Sequence, residues 1–242
     1  MNTNGSGQAV LTTEAPHDFS VLAEVAYRRH SCRAFTDEEV AEEIVDAIVR
    51  TAQQAASWCN AQPWAVDLVS GPALRELSDQ THAEATNDRG TAFDLDTPTY
   101  RGETLARRRA AGWALYDAVG LARGDRAASR AQALANFRFF GAPHVAIISS
   151  CRDLGSYGVL DCGAFVNAFM MAATSLGIAT IAQAAAVSHG PTVRRLLEIS
   201  DDRVLVCGIA FGYEDHAHPA NSFRTERVSV DGIIRRHREL DA

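Results

Sequence analysis

The spacing of apolar positions predicts a chain dominated by helices. Apolar residues on one face predict a helix over about 19–29, which Asp18 can cap. A second amphipathic stretch predicts a helix that runs to about residue 54, and Thr36 followed by Glu39 forms a capping box that would open it. Similar spacing, or a helix-starting proline, predicts further helices that begin at Gly71 and that span about 101–121, 126–139, 159–176 and 191–197.

Apolar runs predict four short strands, at residues 64–70, 145–149, 178–181 and 204–211. Residues 57–63 form a predicted loop before the first strand, because Pro63 constrains Gln62 to extended geometry. The strands are widely separated along the chain. The pattern therefore predicts an α+β fold in which a small mixed central β-sheet packs between helices.

The chain has 242 residues and no segment typical of a linker, which predicts a single domain over residues 18–242. Residues 1–17 are small and polar and lack the basic and apolar regions of a signal peptide, so they predict a flexible N-terminal arm or a strap laid on a partner subunit. Turn-forming residues break the pattern over 87–100, and such a long loop predicts a lid or substrate insertion at about 85–140. The tail has an apolar pattern that predicts an edge strand exchanged with a neighbouring subunit, at Val228, Val230, Ile233 and Ile234.

Composition argues against several classes of protein. Hydrophobic residues make up 47% of the chain and charged residues 22%, which is typical of a globular protein. The net charge of -7 gives no bulk attraction to phosphate backbones or anionic lipids, so neither nucleic acid nor a membrane is predicted as a partner. The long apolar stretch 159–180 contains Asp161 and Asn167, which favours a buried helix over a membrane span.

The cysteines and basic residues limit the chemistry. An odd number of widely spaced cysteines predicts free thiols in a reducing, cytoplasmic compartment; they are Cys32, Cys59, Cys151, Cys162 and Cys207. All 23 basic residues are arginine, and a chain without lysine cannot form a lysine Schiff base. His216 and His218 have the spacing of half a metal site but no third ligand, so no metal is predicted.

Three segments concentrate residues that can bind a ligand. The first is Arg28-Arg29-His30-Ser31-Cys32-Arg33-Ala34-Phe35, between the first two predicted helices. Arginine forks suit bidentate capture of a phosphate or a pyrimidine edge, and Ser31 can add a neutral hydrogen bond. The alternative is that these cations only complement the dipole at the end of the preceding helix.

The second segment is the loop Ser57-Trp58-Cys59-Asn60-Ala61-Gln62-Pro63-Trp64. Its two indoles, amides and thiol would make a suitable wall for a flat aromatic ligand. The alternative is a structured turn whose tryptophans fill the core. Cys59 has no histidine in local register, which favours packing over covalent catalysis.

The third segment is the predicted strand Gly208-Ile209-Ala210-Phe211-Gly212-Tyr213, followed by Asn221-Ser222-Phe223-Arg224. Glycines inside an apolar strand permit close approach by another backbone or a ligand. Arg224 lies beyond that strand in a polar loop, where it can contact an anion or remain a solvated charge.

Taken in this order, the three segments resemble the nitroreductase family. The resemblance includes Gly141-Ala142-Pro143 before a strand and Ser175-Leu176-Gly177 after the apolar central helix, and it covers about 19–234. The insertion at 94–140 and the run Phe139-Phe140-Gly141-Ala142-Pro143 are most similar to the nitrobenzoate-reductase-like branch.

The resemblance implies FMN bound at the interface of a homodimer with two shared sites. Arg29, His30 and Ser31 match positions that hold the FMN phosphate and ribityl chain, and Arg224 matches a further phosphate contact. Arg33 matches the basic position at the pyrimidine edge. Ser57 and Asn60, in the loop with Trp58, Cys59 and Gln62, match positions supplied by the partner subunit. Gln183 and Ala184 fall where the family presents a backbone amide near flavin N5. Trp58 and Cys59 stand where smaller polar residues are common in the family, which affects the shape of the substrate slot.

The implied activity is a ping-pong oxidoreductase. It would pass hydride from NADPH or NADH through flavin N5 to electron-poor aromatics such as nitroaromatics, or to quinones, with no side chain needed as nucleophile or essential base. One alternative is a superfamily member that fragments its own flavin or removes halogen from aromatics. Others are a flavin-binding protein without turnover and an α+β dimer that has lost the cofactor, although intact Arg29, Ser31, Arg33 and Arg224 speak against the last.

Overall fold

The computed structural model describes residues 16–238. The predicted N-terminal arm lies outside the described residues, apart from its last two positions. The helices are α1 (His17–Arg28), α2 (Glu42–Ala52), α3 (Gly71–Thr86), α4 (Gly102–Ala118), α5 (Arg126–Leu134), α6 (Gly155–Ser175) and α7 (Gly190–Leu197). Each lies at or near a helix predicted from apolar spacing.

Four strands form one sheet in the order β1-β2-β4-β3. They are β1 (Trp64–Ser70), β2 (His144–Cys151), β3 (Ala179–Gln183) and β4 (Arg203–Gly212). All three pairings between these strands are antiparallel. Parallel pairing next to β3 is limited to an isolated bridge between Ser31 and Thr180. The predicted α+β class and the small central sheet are confirmed, but the four strands form an antiparallel sheet and not the predicted mixed one.

The two faces of the sheet are covered by different helices. On β2, Ala146 and Ile148 pack with α2 and α6, whereas Val145 and Ile147 pack with α3 and the 3₁₀ segment that follows α5. Successive side chains of a strand point to opposite faces, so the continuous apolar run of β2 supplies both layers. The four side chains are fully buried, and the burial of each Val or Ile side chain contributes about 1.5–3 kcal/mol.

The predicted capping box is wrong. Helix α2 begins at Glu42, six residues after Thr36. The Thr36 amide instead donates to the Tyr213 carbonyl at 2.9 Å, and Phe35 pairs with Glu214 in an antiparallel bridge. Backbone pairing with the segment after β4 therefore replaces the local cap. The cap predicted at Asp18 is also wrong, because α1 begins at His17 and Asp18 lies in its first turn.

The predicted geometry of Gln62 is wrong as well. Residues 57–63 form a loop with one 3₁₀ turn at Trp58–Asn60, but Gln62 has a φ of 44°. A hydrogen bond from the Gln62 amide to Ser57 Oγ at 3.0 Å accompanies this conformation. The tight closure of the loop overrides the usual preference of a residue before proline.

The start of the predicted insertion is attached to the rest of the molecule. Ala92 donates to the Ser188 carbonyl at 2.7 Å and accepts from Gly190. The Asp94 carboxylate accepts from the Leu205 amide at 2.8 Å and is paired with Arg194. Residues 92–94 are thus fixed against α7 and β4. A lid or substrate insertion at about 85–140 stays a prediction.

Helix α6 is the long apolar helix predicted at 159–176. By length and composition the stretch Arg152–Ser175 could cross a membrane, although a core helix meets the same criteria. In the fold, Cys162, Phe165 and Phe169 are fully buried against the sheet. Gly177, with a φ of 79°, follows the helix at the position predicted for its left-handed C-terminal residue.

The C-terminal tail forms no strand within residues 16–238, and a 3₁₀ turn at Val230–Gly232 is its one regular element there. Its apolar side chains are exposed: Val228, Val230, Ile233 and Ile234. Exchange of this tail between subunits stays a prediction.

Candidate active site

The first arginine segment lies along the edge strand β3. Ser31 forms the isolated parallel bridge with Thr180, and the Cys32 amide donates to the Thr180 carbonyl at 3.0 Å. This pairing fixes the chain directly after α1, so the side chains of Arg29 and Arg33 are held beside the sheet. If these arginines only complemented the dipole at the end of α1, this backbone pairing with β3 would not be required.

Asn221 connects this segment to the loop after β4. Its side chain is buried, and its Oδ1 accepts from the Arg33 amide at 2.7 Å. Its Nδ2 donates to the Ala34 carbonyl at 2.9 Å and to the Asp215 carbonyl at 3.0 Å. One amide side chain therefore brings together the first and third segments of the sequence.

A cavity of about 820 Å³ opens between these segments and α1. One wall is apolar and includes Phe19, Leu22 and Ala26; the other carries Arg29, Arg33, Arg224 and Arg227. Among residues 16–238, none of the four guanidinium groups is within 4.0 Å of a carboxylate. A cavity of this size with one apolar wall and one cationic wall can hold a planar molecule that carries an anion.

The charges in this cavity are poorly compensated. Burial, and then the nearby charge of Arg227, lower the pKa of the Arg29 guanidinium. Burial also lowers the pKa of Arg33, although interaction with Cys32 opposes the shift. The Arg33 guanidinium lies 5.7 Å from the centre of the Phe223 ring. Since like charges in a partly buried cavity repel one another, an anion bound between Arg29 and Arg227 would relieve the repulsion.

Arg227 was missed by the sequence reasoning. It forms the spacing Arg224-x-x-Arg227 and directly precedes Val228, where the predicted tail strand begins. Two arginines three residues apart in a polar loop are the signal that could have identified it.

A smaller cavity of about 340 Å³ shares Arg29, His30 and Arg224 with the first. The end of α6 and the start of β3 form its other side, with Glu214 and His216 at its rim. His30 Nε2 lies 3.0 Å from Glu214 Oε1, and His30 Nδ1 lies 3.0 Å from the Arg28 carbonyl. His30 is therefore held by the protein at both ring nitrogens.

A third cavity, of about 600 Å³, also contains Arg33 in its wall. Phe35 and Phe140 contribute aromatic surface, and α5 contributes Ala131 and Leu134. This cavity places part of the predicted substrate insertion next to the arginine segment.

The loop at residues 57–62 does not line any of these three cavities. It is exposed, and Trp58 retains 62% of its accessible surface while its ring packs 4.7 Å from that of Tyr157. The Trp58 amide donates to the buried carboxylate of Asp161 in α6 at 3.0 Å. Cys59, Asn60 and Gln62 all have positive φ, a conformation that costs a residue with a side chain about 1–2 kcal/mol. The loop is thus a defined structure that lies outside the arginine cavities of its own chain.

Gln183 and Ala184 lie at the far end of β3, outside the arginine cavities. The Gln183 side chain is buried and donates to the Asn136 carbonyl at 3.1 Å, while its Oε1 has no partner within residues 16–238. The side chain of Gln183 thus contacts the segment after α5. A role for the backbone amides at 183–184 stays a prediction.

His189, whose role the sequence leaves open, is a buried residue at the start of α7. Its Nδ1 lies 3.3 Å from Glu84, and Glu84 also accepts from Thr192 at 2.8 Å. This contact ties α3 to α7 and does not reach the arginine cavities. Within residues 16–238 no group of three or more metal-ligating side chains is present.

The glycines of β4 make close contacts with protein atoms. A Cβ at Gly208 would lie 2.5 Å from Ala186 Cβ, and one at Gly212 would lie 2.6 Å from Pro143 Cδ. These glycines therefore permit dense packing over the sheet.

All five cysteines are free. Burial raises the pKa of Cys32 and Cys207 to about 12 and that of Cys162 to about 11, so these thiols stay protonated near neutral pH. Cys59 and Cys151 are exposed.

Comparison with known proteins independently supports the resemblance found in the sequence. The model of the "Nitroreductase family" matches residues 26–213. Nitroreductase NfnB of Mycolicibacterium smegmatis is 33% identical over 219 residues, which are 88% of this chain and 93% of the relative. A 4-nitrobenzoate reductase of Nocardioides sp. is 32% identical over 84% of each chain.

Two solved structures share the fold closely. The FMN-dependent nitroreductase NfnB from Mycobacterium smegmatis, in complex with NADPH, superposes with a TM-score of 0.86 at 32% identity, covering 91% of this chain and 100% of the other. An FMN- and NADPH-dependent nitroreductase NfnB from Sphigopyxis sp. strain HMH gives a TM-score of 0.86 at 33% identity, covering 89% and 98%.

Proposed function

The chain belongs to the nitroreductase family, and from this premise we propose that it is an FMN-dependent oxidoreductase. It would transfer electrons from NADPH or NADH to nitroaromatic compounds or quinones. The names of the relatives support FMN as cofactor, NADPH as donor and nitroaromatics as acceptors. The observation that carries the proposal is a group of four arginines beside an apolar wall, none of which has a carboxylate partner among residues 16–238.

The residues present fit FMN. The phosphate dianion would compensate much of the charge of Arg29, Arg224 and Arg227, which line one cavity and have no carboxylate partner among residues 16–238. Ser31, between the phosphate-binding positions and Arg33, would contact the ribityl chain. The flat ring would lie against the apolar wall, with its pyrimidine edge at Arg33.

When bound, FMN would supply a hydride acceptor and two-electron donor at N5, used alternately by donor and acceptor in a ping-pong cycle. Arg33 would place a fixed positive charge where reduction leaves negative charge, in a site partly screened from water. Asn221 fixes the backbone at Arg33, and the Phe223 ring supports its guanidinium. No side chain of the chain is required as a nucleophile or an essential base.

We propose that the active protein is a homodimer in which each subunit completes the site of the other. The loop residues Ser57, Trp58, Cys59, Asn60 and Gln62 would be supplied by the partner. The support is that this rigid, exposed loop lies outside the arginine cavities of its own chain. Exposed apolar side chains on α1 and α6 that lie outside this cavity, among them Val21, Tyr157 and Leu160, offer surface for the contact.

The free cysteines support a reducing compartment, so we propose that the protein is cytoplasmic. The net charge of -7 supports a small-molecule substrate over nucleic acid or a membrane surface.

The visible spectrum of the purified protein tests the function. A yellow protein that bleaches with NADPH or NADH under anaerobic conditions, and regains its colour on addition of a nitroaromatic or quinone, is expected. A protein that binds FMN but does not bleach would instead be a flavin-binding protein without this turnover, or a flavin-fragmenting member of the superfamily. A colourless protein that FMN cannot reconstitute would overturn the proposal.

A further inference from the structure

His30 contacts a hydrogen-bond acceptor at each of its two ring nitrogens. Nδ1 lies 3.0 Å from the Arg28 carbonyl, and Nε2 lies 3.0 Å from Glu214 Oε1. The side chains of His30 and Glu214 retain only 16% and 13% of their accessible surface. The pair thus joins the end of α1 to the segment after β4, where the backbone of Glu214 pairs with Phe35.

This arrangement determines the protonation state of the ring. A carbonyl oxygen can only accept, so Nδ1 must carry a proton. A lone pair at Nε2 would face the lone pairs of the carboxylate, so the short contact requires a proton there too. Because a carboxyl group gives up its proton more readily than an imidazolium, the proton belongs on His30.

We propose that Glu214 is a positioning residue for the cofactor cavity because it holds His30 as an imidazolium. The two N–H groups of this ring then fix the backbone between Arg28 and Ser31. The proposal rests on the proposed function, since the cavity is taken to hold the phosphate of FMN. Arg29 and Ser31 flank His30 in the chain, so a fixed His30 sets the direction of both neighbouring side chains toward the cavity.

Loss of the proton from His30 would have two effects on an anion in the cavity. The hydrogen bond to Glu214 would break, and the pair would change from neutral to a net charge of about -1, which repels phosphate. The form with a neutral His30 beside the ionised Glu214 should therefore bind FMN more weakly.

The other charged groups around the pair do not reproduce this effect. Arg28, Arg29 and Arg224 line the same cavity and stay charged, while the walls from α6 and β3 contribute uncharged residues. The nearby Cys32 has a pKa of about 12, mainly because of burial, and stays neutral. His216 Nδ1 lies 3.7 Å from Glu214 Oε2, but its side chain is 86% exposed. His216 therefore serves as the matched control.

Nitrogen-15 NMR of the histidine rings tests the protonation state without FMN. In the wild type, His30 should show two protonated ring nitrogens at neutral pH. In Glu214→Gln, the glutamine amide can donate to Nε2 while Nδ1 still donates to Arg28, so the ring should become neutral. A neutral His30 in the wild type would overturn the inference.

FMN titration of the apoprotein at successive pH values, with the protonation state of His30 read by NMR at each value, tests the effect on the cavity. We expect the Kd of the wild type to be about tenfold higher where His30 is neutral than where it is doubly protonated, in line with the loss of one charge-assisted contact. Glu214→Gln should bind FMN near pH 7 and lose most of this rise, whereas His216→Asn should retain it. Ionisation of the FMN phosphate affects all three proteins equally.

The same rise in Glu214→Gln as in the wild type would overturn the positioning role. Failure of the wild type to bind FMN at any pH would refute the proposed function instead, and the NMR result would still decide the state of His30.

Discussion

The four arginines of the large cavity differ in how firmly the protein holds them. Arg33 is fixed through its backbone by Asn221, and Arg224 donates to the Asn221 and Phe223 carbonyls at 2.8 Å. In the part of the chain that the structure describes, the Arg227 guanidinium donates hydrogen bonds to Thr225 and Glu226 alone, close to it in the chain, and its charge lowers the pKa of Arg29. A bound phosphate should therefore be stabilised most by the guanidinium groups that the rest of the protein holds least firmly, such as that of Arg227.

Arg227→Ala should weaken FMN binding by about tenfold, because one charge-assisted contact to the phosphate is lost. Fluorescence titration of the apoprotein with FMN measures the change. Arg75→Ala, at an exposed position on α3, should leave the Kd unchanged. Equal affinity in Arg227→Ala and the wild type would remove Arg227 from the phosphate site.

Arg33→Ala should lower the midpoint potential of the bound flavin, since the cation that stabilises the reduced form is removed. Anaerobic titration against a reference dye measures the potential. An unchanged potential in a variant that still binds FMN would contradict the place assigned to Arg33.

Gly208→Ala should destabilise the fold by about 1–3 kcal/mol, because the new methyl group would lie 2.5 Å from Ala186 Cβ within the packed layer over the sheet. Gly112→Ala is the matched control, since a Cβ there meets nothing within 4 Å and α4 should gain up to about 1 kcal/mol. Urea unfolding measures both. Equal stability of the two variants would show that the layer can shift to admit the methyl group.

At the scale of elements, several contacts between segments depend on single polar side chains. The Val40 amide, shortly before α2, donates to His144 Nε2 at 3.0 Å, and the His144 ring stacks on Phe211 at 5.1 Å. Burial lowers the pKa of His144, against an opposing effect of Glu39. The fold therefore stabilises the neutral ring, whose lone pair at Nε2 accepts the hydrogen bond from the Val40 amide.

This contact should make stability depend on pH. The pKa of His144 is lower in the folded chain than in the unfolded one, so its contribution is complete above about pH 6.5 and is lost as the pH falls toward the folded value. Urea unfolding at about pH 7.5 and pH 5.5 should show a smaller loss of stability for His144→Asn than for the wild type. His237→Gln, in the exposed tail, should behave as the wild type does.

The anchor at Asp94 predicts where the insertion opens. Asp94→Asn should weaken the contacts to Leu205 and Arg194 and speed proteolysis at residues 95–100, because the segment loses its charged attachment. Asp96→Asn, two residues along at an exposed position, is the control and should be cleaved at the wild-type rate. Equal cleavage of both variants would mean that backbone pairing at Ala92 alone holds the segment.

Elements with a strong local pattern could be predicted from the sequence, and those decided by distant partners could not. Strand β1 has the predicted bounds, and Gly177 occupies the predicted position after α6. Thr36 failed as a cap because its amide pairs with Tyr213, which lies far away in the sequence. The arginine segment was identified by residue type and order, but the amide of Asn221 that joins it to Arg224 is a tertiary contact that no local pattern reveals.

At the scale of the whole molecule, one chain contains two separate halves of the proposed site. The arginine cavities lie between α1, β3 and the loop after β4, and the loop at 57–62 is attached to α6 through Asp161. A homodimer in which each loop meets the partner's cavity would join the halves twice.

A monomeric form of the protein should therefore bind little or no flavin. Dilution or interface substitutions such as Leu160→Arg, on the exposed face of α6, should shift the protein to a monomer in sizing chromatography and release FMN together. Ala164→Ser, a small polar change on the same exposed face, is the control that should preserve both. A monomer that retains its full content of flavin would refute the shared site.

The separation of the two halves has a genetic consequence. In the proposed dimer, each pocket combines the arginines of one subunit with the loop of the other. Consider one chain with defective arginines and a second chain with a defective loop. When the two are expressed together, a mixed pair would place both faults in one pocket and leave the other pocket wholly intact. Two inactive alleles of this gene should then complement each other and restore activity, whereas two alleles with faults in the same half should not.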